Sequence, residues 1–189
     1  MLENVTNEAT LIEKAQALIP VLKERAHKAE RDRCMPKETD FDFREAGFYR
    51  ALQPTRYGGL ELDYGAQTMF ARELGKACAS SAWVGGILAC HGWMAGMLPD
   101  EAQAEIWGDN PDVSVSTSFL PIGVKVERKG DILNVSGRWR FSSGVDHCRW
   151  AIVLVIVPPE NGEGPPDPVL ALIDLDDCLV EATWNSAGL

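Results

Sequence analysis

Residues 137–147 read Gly-Arg-Trp-Arg-Phe-Ser-Ser-Gly-Val-Asp-His, between a hairpin signal and the most apolar run of the chain, Trp150–Val157. Small, hydroxylated, aromatic and basic side chains crowd this turn. The mixture suits a flat heteroaromatic ligand with polar edges better than a plain core. On its N-terminal side the pattern has period two. Val113, Val115, Thr117 and Phe119 alternate with Ser114, Ser116 and Ser118, and Val124 and Val126 alternate with Lys125 and Glu127. Lys129-Gly130-Asp131 turns the chain into a second strand starting at Ile132. Trp150–Val157 is predicted to be a strand buried on both faces. A loop rich in Pro, Gly and Glu follows over 158–168, then a strand over 169–175, and the chain stops at Ala187-Gly188-Leu189 with no closing element in the pattern.

The first half of the sequence has the helical period instead. A helix over 10–31 is marked by a capping-box pair, Thr10 and Glu13, and by an apolar stripe of Ile12, Ala15, Ile19, Leu22 and Ala26, with Pro20 expected to kink or interrupt it. A second helix fits 41–52, capped by Thr39 or Asp40, and a third fits 63–78. A fourth over 82–97, capped by Ser80 or Ser81, is apolar nearly all round and must be covered by neighbours. Pro99-Asp100 opens a fifth, which Gly108 ends. The expected organisation is α+β: an N-terminal helical domain over 1–110, then a partial antiparallel, barrel-like β domain over 111–189.

Composition narrows the function. The 189 residues carry 46% hydrophobic and 24% charged side chains, as in a soluble globular protein. A net charge of −10 argues against a nucleic-acid surface. Five cysteines in odd number, none at C-x-x-C spacing, point to free thiols and a reduced, cytoplasmic setting. No stretch reads as a membrane span; 83–98 is short and His91 interrupts it. Three dispersed histidines give no metal-ligand set, and no glycine-rich nucleotide fingerprint follows a strand. Ser142, Asp146 and His147 sit in one turn, which does not supply the mutual orientation of a hydrolytic triad.

The order helices, Pro54-x-x-Tyr57-Gly58-Gly59, helices, β domain resembles the acyl-CoA dehydrogenase superfamily. Within it the chain is similar to the oxygenase components of two-component flavin-dependent aromatic monooxygenases, of the 4-hydroxyphenylacetate hydroxylase kind. The residues that carry this are Trp83 and His91 on one helix, 106–112, the Ser116-Thr117-Ser118 strand and Gly137-x-Trp139-x-Phe141-Ser142-Ser143-Gly144-x-Asp146-His147. The dehydrogenase flavin segment, Thr-Glu-Pro followed by Gly-Ser-Asp, is replaced here by 116–123, which favours the monooxygenase branch. Members of the family are longer and continue into a C-terminal helical bundle, so the resemblance implies an N-terminal portion.

The resemblance also implies a chemistry. Reduced FMN or FAD, supplied by a separate flavin reductase, would react with O2 to a flavin C4a-hydroperoxide that hydroxylates a phenolic or other aromatic substrate, in a homotetramer when the protein is full length. His91 would lie by the substrate phenol and accept or stabilise its proton. Ser142 or Ser143 would place a hydroxyl beside the flavin N5, and the spacing from His91 favours Ser142. Trp83, Trp139, Arg140 and Phe141 would line the flavin site. Ser116 and Thr117 point to opposite faces, so one of the two would meet the flavin; by alternation Thr117 lies on the core face and Ser116 on the other. Two alternatives stand beside this reading: an acyl-CoA dehydrogenase-type flavoenzyme, and an inactive fragment or assembly module.

Overall fold

The computed structural model describes residues 7–130, 132–160 and 163–185. Five α-helices come first: α1 (Glu8–Asp32), α2 (Lys37–Ala46), α3 (Gly65–Gly75), α4 (Ala79–Ala95) and α5 (Asp100–Trp107). Asn7, not the Thr10–Glu13 pair, caps α1, because its side chain accepts from the Thr10 backbone N–H at 3.0 Å. The buried stripe of α1 is Leu11, Ala15, Leu22 and Ala29, rotated from the expected one so that Ile12 and Ile19 sit at its margins. Pro20 does not interrupt the helix. It lies on the exposed face, where the carbonyl it leaves unpaired can bond to water.

The second helix begins at Lys37 after Pro36 and stops early, because Gly47 turns left-handed (φ 85°) and its N–H bonds back to Phe43 and Arg44 carbonyls. Phe43 and Phe48 then pack edge-on, and Phe48 stacks on Phe70 at 4.5 Å, joining α2, the following turn and α3 in one core. The all-round apolar character of α4 is explained by its neighbours: α1, α2 and α3 cover one side and a β-strand the other. Gly85 allows this closeness, since a Cβ there would lie 2.8 Å from the Phe43 ring. No helix among the described residues is long and apolar enough to cross a membrane.

Five strands follow: β1 (Val115–Ser118), β2 (Leu120–Lys129), β3 (Ile132–Arg140), β4 (Trp150–Val157) and β5 (Asp167–Asp174). They form a three-stranded sheet in the order β1-β4-β5 and a separate β2-β3 hairpin. The hairpin turns at Gly130 (φ 62°). The expected antiparallel arrangement holds for β2–β3 and β4–β5, but β1 runs parallel to β4. Two reversals are the reason: β3 runs back along β2 until Arg140 lies opposite Leu120, and the segment 141–149 then turns the chain again, so that Trp150 starts opposite Val115 and β4 runs in the direction of β1. The strands do not close into a barrel. The expected burial of β4 on both faces holds only in its first half: Ile152 packs with Trp107 and Val115, and Val153, Val155 and Val157 with the hairpin's Val124, Val126 and Val135, but on the Ile152 face Leu154 is half-buried and Ile156 is 43% exposed.

Candidate functional site

Helix α4 meets the β half at two points, and both involve residues singled out by the sequence. The first is His91, 3% exposed. Its Nδ1 lies 3.1 Å from the Val115 carbonyl oxygen and its Nε2 lies 2.8 Å from Thr117 Oγ1. A carbonyl only accepts, so Nδ1 carries the proton and Nε2 is the acceptor for the Thr117 hydroxyl. Burial pushes the imidazole pKa down to about 4, against a smaller opposing effect of the Val115 hydrogen bond. At neutral pH His91 is therefore a neutral acceptor with a fixed tautomer.

The second point is Trp83, whose indole Nε1–H donates to Ser143 Oγ at 3.2 Å. Trp83 and His91 are eight residues apart, about 12 Å of helix rise. The bond ties α4 to the turn after β3. In that turn Phe141 takes a left-handed backbone (φ 58°) and is 78% exposed, and Gly144 is left-handed as well (φ 77°). A left-handed bulky residue is a local strain that the surroundings must hold in place. Gly144 packs against α4 so closely that a Cβ there would lie 3.0 Å from Leu88 and 3.1 Å from Val84. Ser142 and Ser143 lie between these two positions, half-buried.

The other sequence candidates have different surroundings. The alternation over 113–119 does not produce one covered and one open face: all four β1 residues are buried, and Phe119, grouped with the core face by alternation, is 44% exposed. Ser116, expected on the open face, is fully buried and its hydroxyl has no hydrogen-bond partner among the described residues. Helix α4 packs on the Val115 and Thr117 face, and the burial of Ser114, Ser116 and Ser118 shows that the opposite face is covered as well. Trp139 does not join the Trp83–Ser143 contact. Its indole N–H donates to the Leu154 carbonyl at 2.8 Å and fastens the hairpin to β4. Arg140 is exposed at the end of β3, and its carbonyl accepts from the Ser118 hydroxyl. His147 is directed away from Ser142: Nε2 lies 3.0 Å from the Met35 carbonyl oxygen, and Nδ1 lies 3.8 Å from Asp40.

Sequence reading missed the pairing of His91 with Thr117 and the Val115 carbonyl, because no periodicity links positions 26 apart on a helix and a strand. It also missed a set of ionic contacts behind the site. Arg50 Nε donates to Asp112 Oδ1 at 2.8 Å, and Arg44 bonds to the Asp112 carbonyl. Arginines in helix ends usually read as solvated charge, so the sequence carried no signal for this.

Comparison with known proteins agrees with this architecture. The family model described as acyl-CoA dehydrogenase, N-terminal domain, matches residues 10–107. The chain is 35% identical over 179 residues to a flavin-dependent monooxygenase, oxygenase subunit HsaA, of Rhodococcus jostii (strain RHA1), covering 94% of this chain and 46% of that protein. Among solved structures, the HsaA monooxygenase from M. tuberculosis superposes with a TM-score of 0.89 at 29% identity, covering 96% of this chain and 47% of that one. XiaF from Streptomyces sp., solved in complex with FADH2 and glycerol, superposes with a TM-score of 0.86 at 27% identity, covering 96% of this chain and 45% of that one. The chain thus spans about half the length of the relatives it matches. By its helical half and its fold, the chain belongs to the acyl-CoA dehydrogenase family, and within that family it resembles the oxygenase components of two-component flavin monooxygenases.

Proposed function

We propose that the protein carrying this chain is the oxygenase component of a two-component flavin monooxygenase. It takes reduced FMN or FAD from a separate flavin reductase in the cytoplasm and uses O2 to hydroxylate a phenolic or other aromatic small molecule, as a homo-oligomer. The observation that carries this reading is the double contact of α4 with the β half: His91 with Thr117, and Trp83 with Ser143. It sets a hydrogen-bonding pair and a hydroxyl-rich aromatic turn along one helix, in the portion of chain shared with flavin monooxygenase oxygenase subunits.

The residues present fit a flavin. The Ser142 and Ser143 hydroxyls and the Trp83 indole suit the polar edge of a tricyclic ring, and the exposed Phe141 ring suits its flat face. When bound, reduced flavin supplies the electrons that activate O2. The chain's own residues do the rest. A phenolic hydroxyl set against Thr117 donates to Oγ1, whose own proton is already committed to His91 Nε2. Thr117 and His91 thus draw the phenolic proton outward and enrich the ring carbon beside the oxygen. His91 does this as a hydrogen-bond acceptor, since its low pKa disfavours full proton transfer. Of the two adjacent β1 hydroxyls, this reading uses Thr117, which is 6% exposed and bonded to His91, and not Ser116, which is 0% exposed.

An anaerobic titration of the full-length natural protein with reduced FMN and reduced FAD, followed by tryptophan fluorescence, tests the reading. Saturable quenching by reduced flavin, weakened about tenfold in Ser142→Ala, is the expected result. Oxidised FAD that stays bound through purification and is bleached by an acyl-CoA would overturn it in favour of dehydrogenase chemistry.

A further inference from the structure

Arg44, at the C-terminal end of α2, is 23% exposed at its side chain and reaches three segments at once. Its Nε donates to Asp40 Oδ2 at 2.9 Å, one turn back on the same helix. One terminal nitrogen donates to the backbone carbonyl of Asp112, and the other donates to the backbone carbonyl of His147 at 2.8 Å. Asp112 lies three residues before β1, the strand that supplies Val115 and Thr117 to His91. His147 closes the turn that begins with Phe141, Ser142 and Ser143. One guanidinium therefore holds the entry to one wall of the candidate site and the exit from the other.

The surroundings fix that guanidinium in turn. Its central carbon sits 5.1 Å from the centre of the Tyr49 ring, and the Tyr49 hydroxyl donates to the second oxygen of Asp40 at 3.0 Å. Asp40 thus orients both the cation and the ring beneath it. Arg50 repeats the grip on Asp112 through its side chain. We propose that Arg44 is a positioning residue, whose three-way fork sets β1 and the 141–147 turn against each other so that Thr117 and Ser142 face one ligand. The fork geometry is essential, because three acceptors in divergent directions need the planar, five-donor guanidinium; an ammonium of equal charge has too short a reach to span both carbonyls.

The functional part of this assignment rests on the flavin reading; its structural part does not. The test uses Arg44→Lys and Arg44→Met in the full-length protein, with Arg25→Met as control. Arg25 donates to Asp42 at 2.6 Å and to Thr39 at 3.3 Å, so its loss loosens α2 without touching either segment. Amide hydrogen exchange needs no ligand and reads the two segments directly. The Arg149 N–H to Ser114 carbonyl bond and the bonds of Val145, His147 and Cys148 N–H within the turn are the reporters. Both Arg44 variants should speed exchange tenfold or more over 114–118 and 145–149 together, and the control should leave both unchanged at comparable melting temperature. Affinity for reduced flavin should fall tenfold or more in Arg44→Lys as well as Arg44→Met. Unchanged exchange, a change in one segment alone, or an equal change in the control would overturn the assignment. Failure of the unmutated protein to bind reduced flavin would refute the flavin reading and leave the exchange result to decide this one.

Discussion

At the scale of single residues, His91 decides most. Its imidazole is held neutral in the folded chain at a pKa of about 4, below the ordinary value of 6.5 that it regains on unfolding. The unfolded state therefore binds the proton first as pH falls. Stability attributable to His91 is present well above pH 6.5 and declines as pH falls through about 6.5 towards 4, by about 3 kcal/mol. His91→Asn removes the titration. Melting temperatures taken across this window should show a shallower acid limb in the variant than in the parent, and parallel limbs would contradict the assignment. Thr117→Val keeps shape but leaves Nε2 without its donor. We expect a cost of about 1 kcal/mol in stability and a fall of about a hundredfold in hydroxylation kcat, with Thr117→Ser close to the parent. The sequence displayed His91 and the Ser116-Thr117 pair, but alternation could not say which hydroxyl meets His91. That is set by which face of β1 packs on α4, a property of the packing and not of the strand.

At the scale of elements, helix α1 shows where local rules yield to context. Pro20 sits in its middle, yet the helix continues over 25 residues because the unpaired carbonyl is on the wet side. The position still lacks one hydrogen bond. Pro20→Ala should stabilise the protein by about 1–3 kcal/mol, seen as a higher denaturant midpoint at unchanged slope; an unchanged or lower midpoint would show that the helix already compensates the loss. The β elements were legible in part. The continuous apolar run at Trp150–Val157 announced a strand buried on both faces; the hairpin covers one face throughout, while helical packing covers the other at Ile152 and leaves Ile156 exposed. The parallel pairing of β1 with β4 was not legible. It arises from two reversals between them, one at the tip of the β2–β3 hairpin and one over 141–149, a long-range connection that no local period encodes. The same applies to Trp139, which reads as a ligand-turn aromatic in sequence and is a fastener between hairpin and sheet in space.

At the scale of the whole molecule, the helical half and the β half meet along α4, and the candidate site is their seam. The turn at 137–147 looked like a self-contained ligand loop in the sequence. In the fold it is one wall, held to α4 by Trp83 and Gly144 and to α2 by Arg44. The opposing polar group, Thr117 with His91, comes from a strand 25 residues earlier than Ser142. Oxygenation at this seam by reduced flavin would transfer an atom of O2 to the product, which isotope labelling reads. The full-length protein is supplied with a flavin reductase, FMN or FAD, and a panel of phenols under 18O2. The expected product is a hydroxylated aromatic carrying one 18O atom, formed only when both reduced flavin and the protein are present and strongly diminished in Thr117→Val. Product oxygen drawn from water, or no hydroxylated aromatic from any phenol while reduced flavin is demonstrably bound, would contradict it.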